Sequence, residues 1–205
     1  MKSIILSGLP GSGKGTQAKL IQDNFRLIQL SAGDALREHR QNPDGKYSKI
    51  INEFIDKGLL VPSEITNDIV AQKIEKEIKK NNIGGFLFDG YPRSMSQVLP
   101  LDNVLKKYNQ KIDLAIYIDI DFEVLYERLS GRFSCKKCGA IYHKIYNPTK
   151  VAKKCDKCGS VEFSIRDDDC DKNAIRSRFD IFINETKDVL NEYSARGIVF
   201  KINGN

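Results

Sequence analysis

The run Gly8-Leu9-Pro10-Gly11-Ser12-Gly13-Lys14-Gly15-Thr16 constrains this chain more than any other stretch. It has the frame G-x-x-x-x-G-K, set between an apolar β-rich run (Lys2 to Ser7) and a helical pattern from Lys14 to about Asn24. Strand, glycine loop and helix in that order make a P-loop. Glycines let the backbone curl until successive N–H groups point inward at phosphate oxygens. The following helix adds the positive end of its dipole. Gly11, Ser12, Gly13, Lys14, Gly15 and Thr16 are therefore the candidate triphosphate cradle, with Lys14 as a point charge for the β- and γ-phosphates. The Ser or Thr that ordinarily follows the lysine is replaced by Gly15, with Thr16 one place on.

The rest of the chain continues the alternation. Short strands are expected at Ile28–Leu30, Phe86–Phe88, Leu114–Ile118 and Ile198–Ile202. Helical patterns run from Ala35 to about Arg40, Lys46 to Lys57, Pro62 to about Ile78, Ser96 to Tyr108, Phe122 to Leu129 and Asn173 to Tyr193. Ile50, Ile51, Phe54 and Ile55 share one face of the second of these, and Gly58 ends it as a C-cap. Asn42-Pro43-Asp44-Gly45 is a turn. The pattern predicts an α/β fold: a P-loop parallel sheet flanked by helices. Periodicity fails between 133 and 165, so the 205 residues divide into a core (1–132 and 166–205) and a small inserted module (133–165).

That module holds Cys135-x-x-Cys138 and Cys155-x-x-Cys158, separated by sixteen residues, each pair followed by glycine (Gly139, Gly159). No apolar run reaches the roughly 18 residues needed to span a bilayer, and Ile4-Ile5-Leu6 is too short for a signal peptide. The chain is expected to be cytoplasmic, where paired cysteines argue for metal rather than disulfides. The spacing fits a closed, structural four-cysteine site for Zn²⁺, with iron as the alternative metal. Thirty-three Lys and Arg against twenty-seven Asp and Glu give a net charge of +6, which suits anionic ligands.

Two further motifs carry chemistry. Ser31-Ala32-Gly33-Asp34-Ala35-Leu36-Arg37 opens a helix after a strand, presenting a helix N-terminus and an arginine to an anion. Phe88-Asp89-Gly90-Tyr91-Pro92-Arg93 follows another strand, at the edge where open α/β sheets bind ligands. There Asp89 can hold the water shell of Mg²⁺ and Arg93 can fork onto a phosphate.

Taken together, Gly11 to Gln17, Ser31 to Arg37 and Asp89 to Arg93 resemble the phosphate loop, monophosphate segment and D-G-[FY]-P-R signature of the adenylate kinase family. The resemblance extends from Lys2 to about Gly204. It implies transfer of a phosphoryl group from MgATP to AMP, giving two ADP, by a monomer with no nucleic-acid or membrane partner. It assigns residues 31–62 to an acceptor-binding segment, with Ser31, Ala32, Arg37, Leu60, Val61, Gly90, Arg93 and Gln97 toward AMP. Gln97 would pair its amide with the N1 and N6 positions of adenine. Residues 133–165 become a zinc-stapled lid. The arginines at its borders, Arg128, Arg132, Arg166 and Arg178, converge on the phosphates, with Arg128, Arg132 and Gly204 on the ATP side and Arg166 and Arg178 on the AMP side. Asp168 and Asp169 resemble the lid's acidic pair, with Asp167 as the competing assignment, and His143 is read as lid packing rather than a metal ligand. The chain departs from the family in the 42–45 turn, in Asn203-Gly204 for Asp-Gly, and in stopping at Asn205 short of a last helix, for which reduced stability is expected. Two alternatives stay open: a kinase for another nucleoside monophosphate, and a P-loop ATPase whose zinc ribbon binds nucleic acid.

Overall fold

The computed structural model describes residues 1–41, 45–56, 59–80, 83–165, 169 and 171–205. A five-stranded parallel sheet runs through the molecule: β1 (Lys2–Gly8), β2 (Leu27–Ser31), β3 (Gly85–Asp89), β4 (Ile112–Asp119) and β8 (Val199–Asn203), ordered β2-β3-β1-β4-β8. Helices α1 (Lys14–Phe25), α2 (Ala32–Arg40), α3 (Ser48–Asp56), α4 (Ser63–Lys79), α5 (Met95–Lys106) and α6 (Phe122–Ser130) connect the strands. After the insertion, α7 (Lys172–Ile181) and α8 (Lys187–Ala195) return to the sheet. The fold expected from the alternation is the fold present. No helix among the described residues is long and apolar enough to cross a membrane.

Strand chemistry explains the order. Phe86, Leu87 and Phe88 are all fully buried, because β3 is covered on both faces as a central parallel strand must be. Alternate residues feed opposite layers. Ile5, Phe86 and Phe88 pack with Val98, Leu101, Val189 and Tyr193 on one face. Leu6, Leu87 and Ile118 pack with Ala18 of α1 on the other. β1 thus sits at the centre, with β3 on one side and β4 on the other, in the registers Leu6↔Asp89 and Gly8↔Ile118. The chain reverses direction across the sheet there, which opens a crevice beyond the carboxyl ends of β1, β3 and β4.

The inserted module forms its own antiparallel sheet, β6-β5-β7, from β5 (Arg132–Cys135), β6 (Ile141–His143) and β7 (Phe163–Ser164). The structure refines three expectations. Helix α3 starts at Ser48, and Ile50 is 42 % exposed while Ile51 is fully buried, so Ile50 is not part of the inward face. The helical run after the insertion is not one α-helix, since residues Phe182–Thr186 form a π-helical segment between α7 and α8. The Asn42-Pro43-Asp44 part of the turn, the Gly58 cap, Arg166, Asp167, Asp168 and Cys170 lie outside the described residues.

Candidate active site

The crevice is a cleft of about 2000 Å³ lined by the P-loop, Gln29, Ser31, Arg37, Leu60, Val61, Asp89, Gly90, Arg93, Arg128, Arg132, Arg178, His143 and Gly204, among others. One cavity therefore gathers residues that the sequence spreads over nearly its whole length.

At its floor the P-loop closes onto α1. Gly13 caps the helix in the left-handed region (φ 92°), a conformation open to glycine without penalty. Its carbonyl accepts from the N–H groups of Thr16 (3.0 Å) and Gln17 (3.1 Å). Gly15 and Thr16 are exposed to the cleft, and the buried Ser12 hydroxyl has no hydrogen-bond partner among the described residues. Lys14 Nζ donates to the carbonyls of Gly8 (2.7 Å) and Leu9 (2.8 Å). The residue as a whole keeps some access to the cleft, but its ammonium is folded back among these carbonyls. Desolvation pushes its pKa from 10.5 down to about 7, opposed by Asp89 and reinforced by Arg93, Arg132 and Arg178. An anion placed among these groups would restore the charge.

A pH dependence follows from this shift. The folded pKa lies below the unfolded one, so below about pH 7 both states are protonated and the full desolvation penalty is present. Between about 7 and 10.5 the unfolded chain binds more protons, and Lys14 makes stability rise with pH. Binding of tripolyphosphate above pH 7 should accordingly take up a proton. Calorimetry in buffers of different ionisation enthalpy measures that uptake, and proton-neutral binding at pH 8 would contradict the shift.

The acceptor side is built from β2, β3 and the segments after them. Asp89 ends β3, and its Oδ2 accepts from Gln29 Nε2 at 2.9 Å. Gln29 is a site residue that no motif marks; its one signal is a polar side chain inside the apolar run Ile28-Gln29-Leu30. Ser31 caps α2 by accepting from Asp34 N–H (3.2 Å), and Arg37 pairs with Asp34 on the exposed side of the same turn. An exposed i,i+3 pair of this kind is weak, so a phosphate can displace it. Leu60 and Val61 line the cleft, with Val61 also packed against Ala35, Ile51 and Ile65. Ala32 is buried in the core and is not part of the cleft wall. Gln97 is also buried behind that wall, its Oε1 accepting from Arg93 N–H at 2.7 Å.

Where the inserted module meets the core, a buried carboxylate organises the arginines. Asp169, with no side-chain exposure, accepts from Arg132 Nε (2.7 Å) and from Arg178 Nη1 (3.0 Å). Arg132 Nη2 lies 2.5 Å from the same oxygen as Nε, without hydrogen-bond alignment. The two guanidinium groups are thereby held together at the cleft. Arg128 lines the cleft with no ion pair among the described residues. The junction itself is tight. His143 Nδ1 accepts from the N–H groups of Ile145 and Tyr146 (both 3.1 Å), which puts the ring proton on Nε2, 3.3 Å from the Glu127 carbonyl. A Cβ on Gly131 would fall 2.1 Å from that ring, so only glycine fits beneath it.

In the module, the sulfurs of Cys135, Cys138, Cys155 and Cys158 lie within 4.8 Å of one another, with Cys135–Cys158 and Cys138–Cys155 both at 3.5 Å. A tetrahedral zinc with Zn–S near 2.3 Å spaces its sulfurs by ~3.8 Å, so the four thiols fit one ion. Gly139 and Gly159 donate back to the carbonyls of Cys135 (2.9 Å) and Cys155 (2.8 Å), forming two matching knuckle turns. The Tyr142 hydroxyl, 3.3 Å from Cys155 Sγ, accepts from Asp156 N–H (2.8 Å) and stacks its ring on Phe133. His143 is not a member of the sulfur group.

A family model described as adenylate kinase matches residues 6–198. Among curated relatives, the adenylate kinase of Limosilactobacillus reuteri subsp. reuteri (strain JCM 1112) is 43 % identical over 204 residues, covering 98 % of this chain and 91 % of the relative. That of Lactococcus lactis subsp. lactis (strain IL1403) is 41 % identical over 202 residues, covering 98 % and 92 %. That of Enterococcus faecalis (strain ATCC 700802 / V583) is 43 % identical over 204 residues, covering 99 % and 92 %. With a P-loop, an acceptor-side arginine set and a four-cysteine insertion opening on one cleft, and with these matches along nearly its full length, the chain belongs to the adenylate kinase family.

Proposed function

We propose that the chain catalyses the reversible transfer of a phosphoryl group from MgATP to AMP, giving two ADP, as a cytoplasmic monomer. The observation that carries this reading is the convergence on one cleft of a desolvated P-loop lysine and Arg93, Arg132 and Arg178, all close enough to act on its charge. Phosphoryl transfer spreads negative charge over equatorial oxygens, and positioned cations supply most of its catalysis. Lys14 and the P-loop N–H groups hold the donor's β- and γ-phosphates. Arg37 and Arg93 hold the acceptor phosphate, with Ser31, Leu60, Val61 and Gly90 shaping its pocket, Ala32 packed behind them in the core, and Gln97 reading its base. Arg128 and Arg178 meet the transferring group, joined by Arg166, and Arg132 and Gly204 lie toward ATP. The acceptor phosphate is already anionic, so no general base is required.

Asp89 suits Mg²⁺ through the water shell, being a carboxylate on the cleft wall whose own hydrogen-bond partner is the neutral amide of Gln29. Bound with ATP, Mg²⁺ would neutralise part of the negative charge of the donor's phosphates. Residues 133–165 act as a lid whose closure excludes water that would otherwise take the γ-phosphate. Residues 1–132 and 166–205 act as the core that carries it, and residues 31–62 as the acceptor segment. Zn²⁺ on the four cysteines staples the lid. Replacing Cys135 and Cys138 together by Ser should lower the unfolding midpoint by roughly 5–10 °C, at about 2–4 °C per kcal/mol for a chain of this size, while turnover at low temperature changes little. A metal-free variant that melts with the wild type would remove the structural role.

An acceptor screen tests the reading. With MgATP and AMP, GMP, CMP, UMP or no acceptor, ADP should form with AMP in strong preference. Preference for another monophosphate would reassign the acceptor pocket, and ADP formation without any acceptor would replace the kinase reading by an ATPase.

A further inference from the structure

The segment that carries Arg93 has no strand or helix of its own, because residues 90–93 lie between β3 and α5. Its geometry is instead fixed from outside. Arg93 N–H donates to Gln97 Oε1 (2.7 Å), Arg93 Nε donates to the Gly90 carbonyl (2.8 Å), and the Arg93 carbonyl accepts from Thr186 Oγ1 at 3.0 Å. Thr186 comes from the far end of the chain. It closes the π-helical segment Phe182–Thr186, lines the cleft, and is only 3 % exposed. A buried hydroxyl is costly unless it is hydrogen-bonded. In an α-helix, threonine commonly satisfies itself on the carbonyl four residues back. Here the helix is widened by a π turn, a feature frequent at functional sites, and the hydroxyl reaches across to Arg93.

We propose that Thr186 is a positioning residue for phosphoryl transfer: its hydroxyl fixes the main chain of Arg93, so that the Arg93 guanidinium is pre-aimed at the acceptor phosphate. The contact is made from the last residue of the π segment. The same helical run carries Arg178 in the last turn of α7, so one element orients two of the cleft's arginines, Arg178 through its own backbone and Arg93 through Thr186. A misplacement of about 1 Å in such a group costs up to a hundredfold in rate, which is why a single neutral hydrogen bond can matter here. The inference rests on the AMP-kinase reading above.

The test compares Thr186→Val, which keeps the shape and removes the hydroxyl, with Thr186→Ser, which keeps the hydroxyl. Thr186→Val should lower kcat about tenfold and raise KM for AMP, with KM for ATP unchanged. Thr186→Ser should restore kcat to within about twofold of wild type. In an Arg93→Ala background, Thr186→Val should cost nothing further, because the group it positions is gone. Wild-type kcat in Thr186→Val overturns the inference. So does an equal loss in the Arg93→Ala background, or equal effects on both KM values, either of which would mark a general structural role. Wild-type protein inactive with AMP would overturn the kinase reading and this inference together, whereas an active enzyme indifferent to Thr186→Val would overturn the inference alone.

Discussion

Lys14→Ala is expected to lower turnover with MgATP and AMP by at least about 10³-fold, a loss of ~4 kcal/mol of transition-state stabilisation. The size follows from position. The ammonium lies on the P-loop carbonyls, already stripped of water, where a phosphate would supply its counter-charge. Charge that develops in the transition state is therefore met by a group with little solvent left to shed. The same desolvation means that removing the lysine should not unfold the protein. Two hydrogen bonds to the Gly8 and Leu9 carbonyls are lost, but so is the cost of a buried charge. The unfolding midpoint of Lys14→Ala should stay within a few degrees of wild type at pH 7. Steady-state kinetics and thermal unfolding on the same sample separate the two. Near-normal turnover would overturn the assignment of the loop, and a collapsed midpoint would show that Lys14 is structural.

Asp169→Ala should have the largest effect on stability. Arg132 and Arg178 are only 17 % and 18 % exposed, and Asp169 is the carboxylate both of them contact. Removing one member of a buried ionic group typically costs ~3–5 kcal/mol. Here the carboxylate shared by two guanidinium groups at the root of the lid would be lost. The expected fall in midpoint is on the order of 10 °C. Asp169→Asn should fall less, since the amide oxygen still accepts one hydrogen bond. Thermal unfolding of metal-loaded protein checks both, and an Asp169→Ala midpoint equal to wild type would show that the arginines find other partners.

The legible parts of the fold are those where local chemistry leaves one solution. Phe86-Leu87-Phe88 can only be an inner strand, and the glycines and lysine of the P-loop fix both a backbone shape and a ligand class. The four cysteines announce their own grouping, and the sulfurs converge as their spacing implies. Contacts that cross the chain are not legible. Gln29 reaches Asp89 over sixty positions and Thr186 reaches Arg93 over ninety-three, and neither leaves a local pattern. The π segment is hidden for a related reason. Ile175, Phe182, Val189 and Tyr193 keep an α-helical spacing straight through it, so periodicity reads one uninterrupted helix. Gln97 shows the limit of assigning a role by offset alone, because its side chain is buried and its Oε1 is engaged with the Arg93 N–H.

If one cleft holds two nucleotides and passes a phosphoryl group between them, the enzyme incubated with Mg²⁺ and ADP as the only nucleotide should form ATP and AMP in equal amounts, with no inorganic phosphate released. Inorganic phosphate without ATP, or no change in the ADP, would mean that no such transfer takes place.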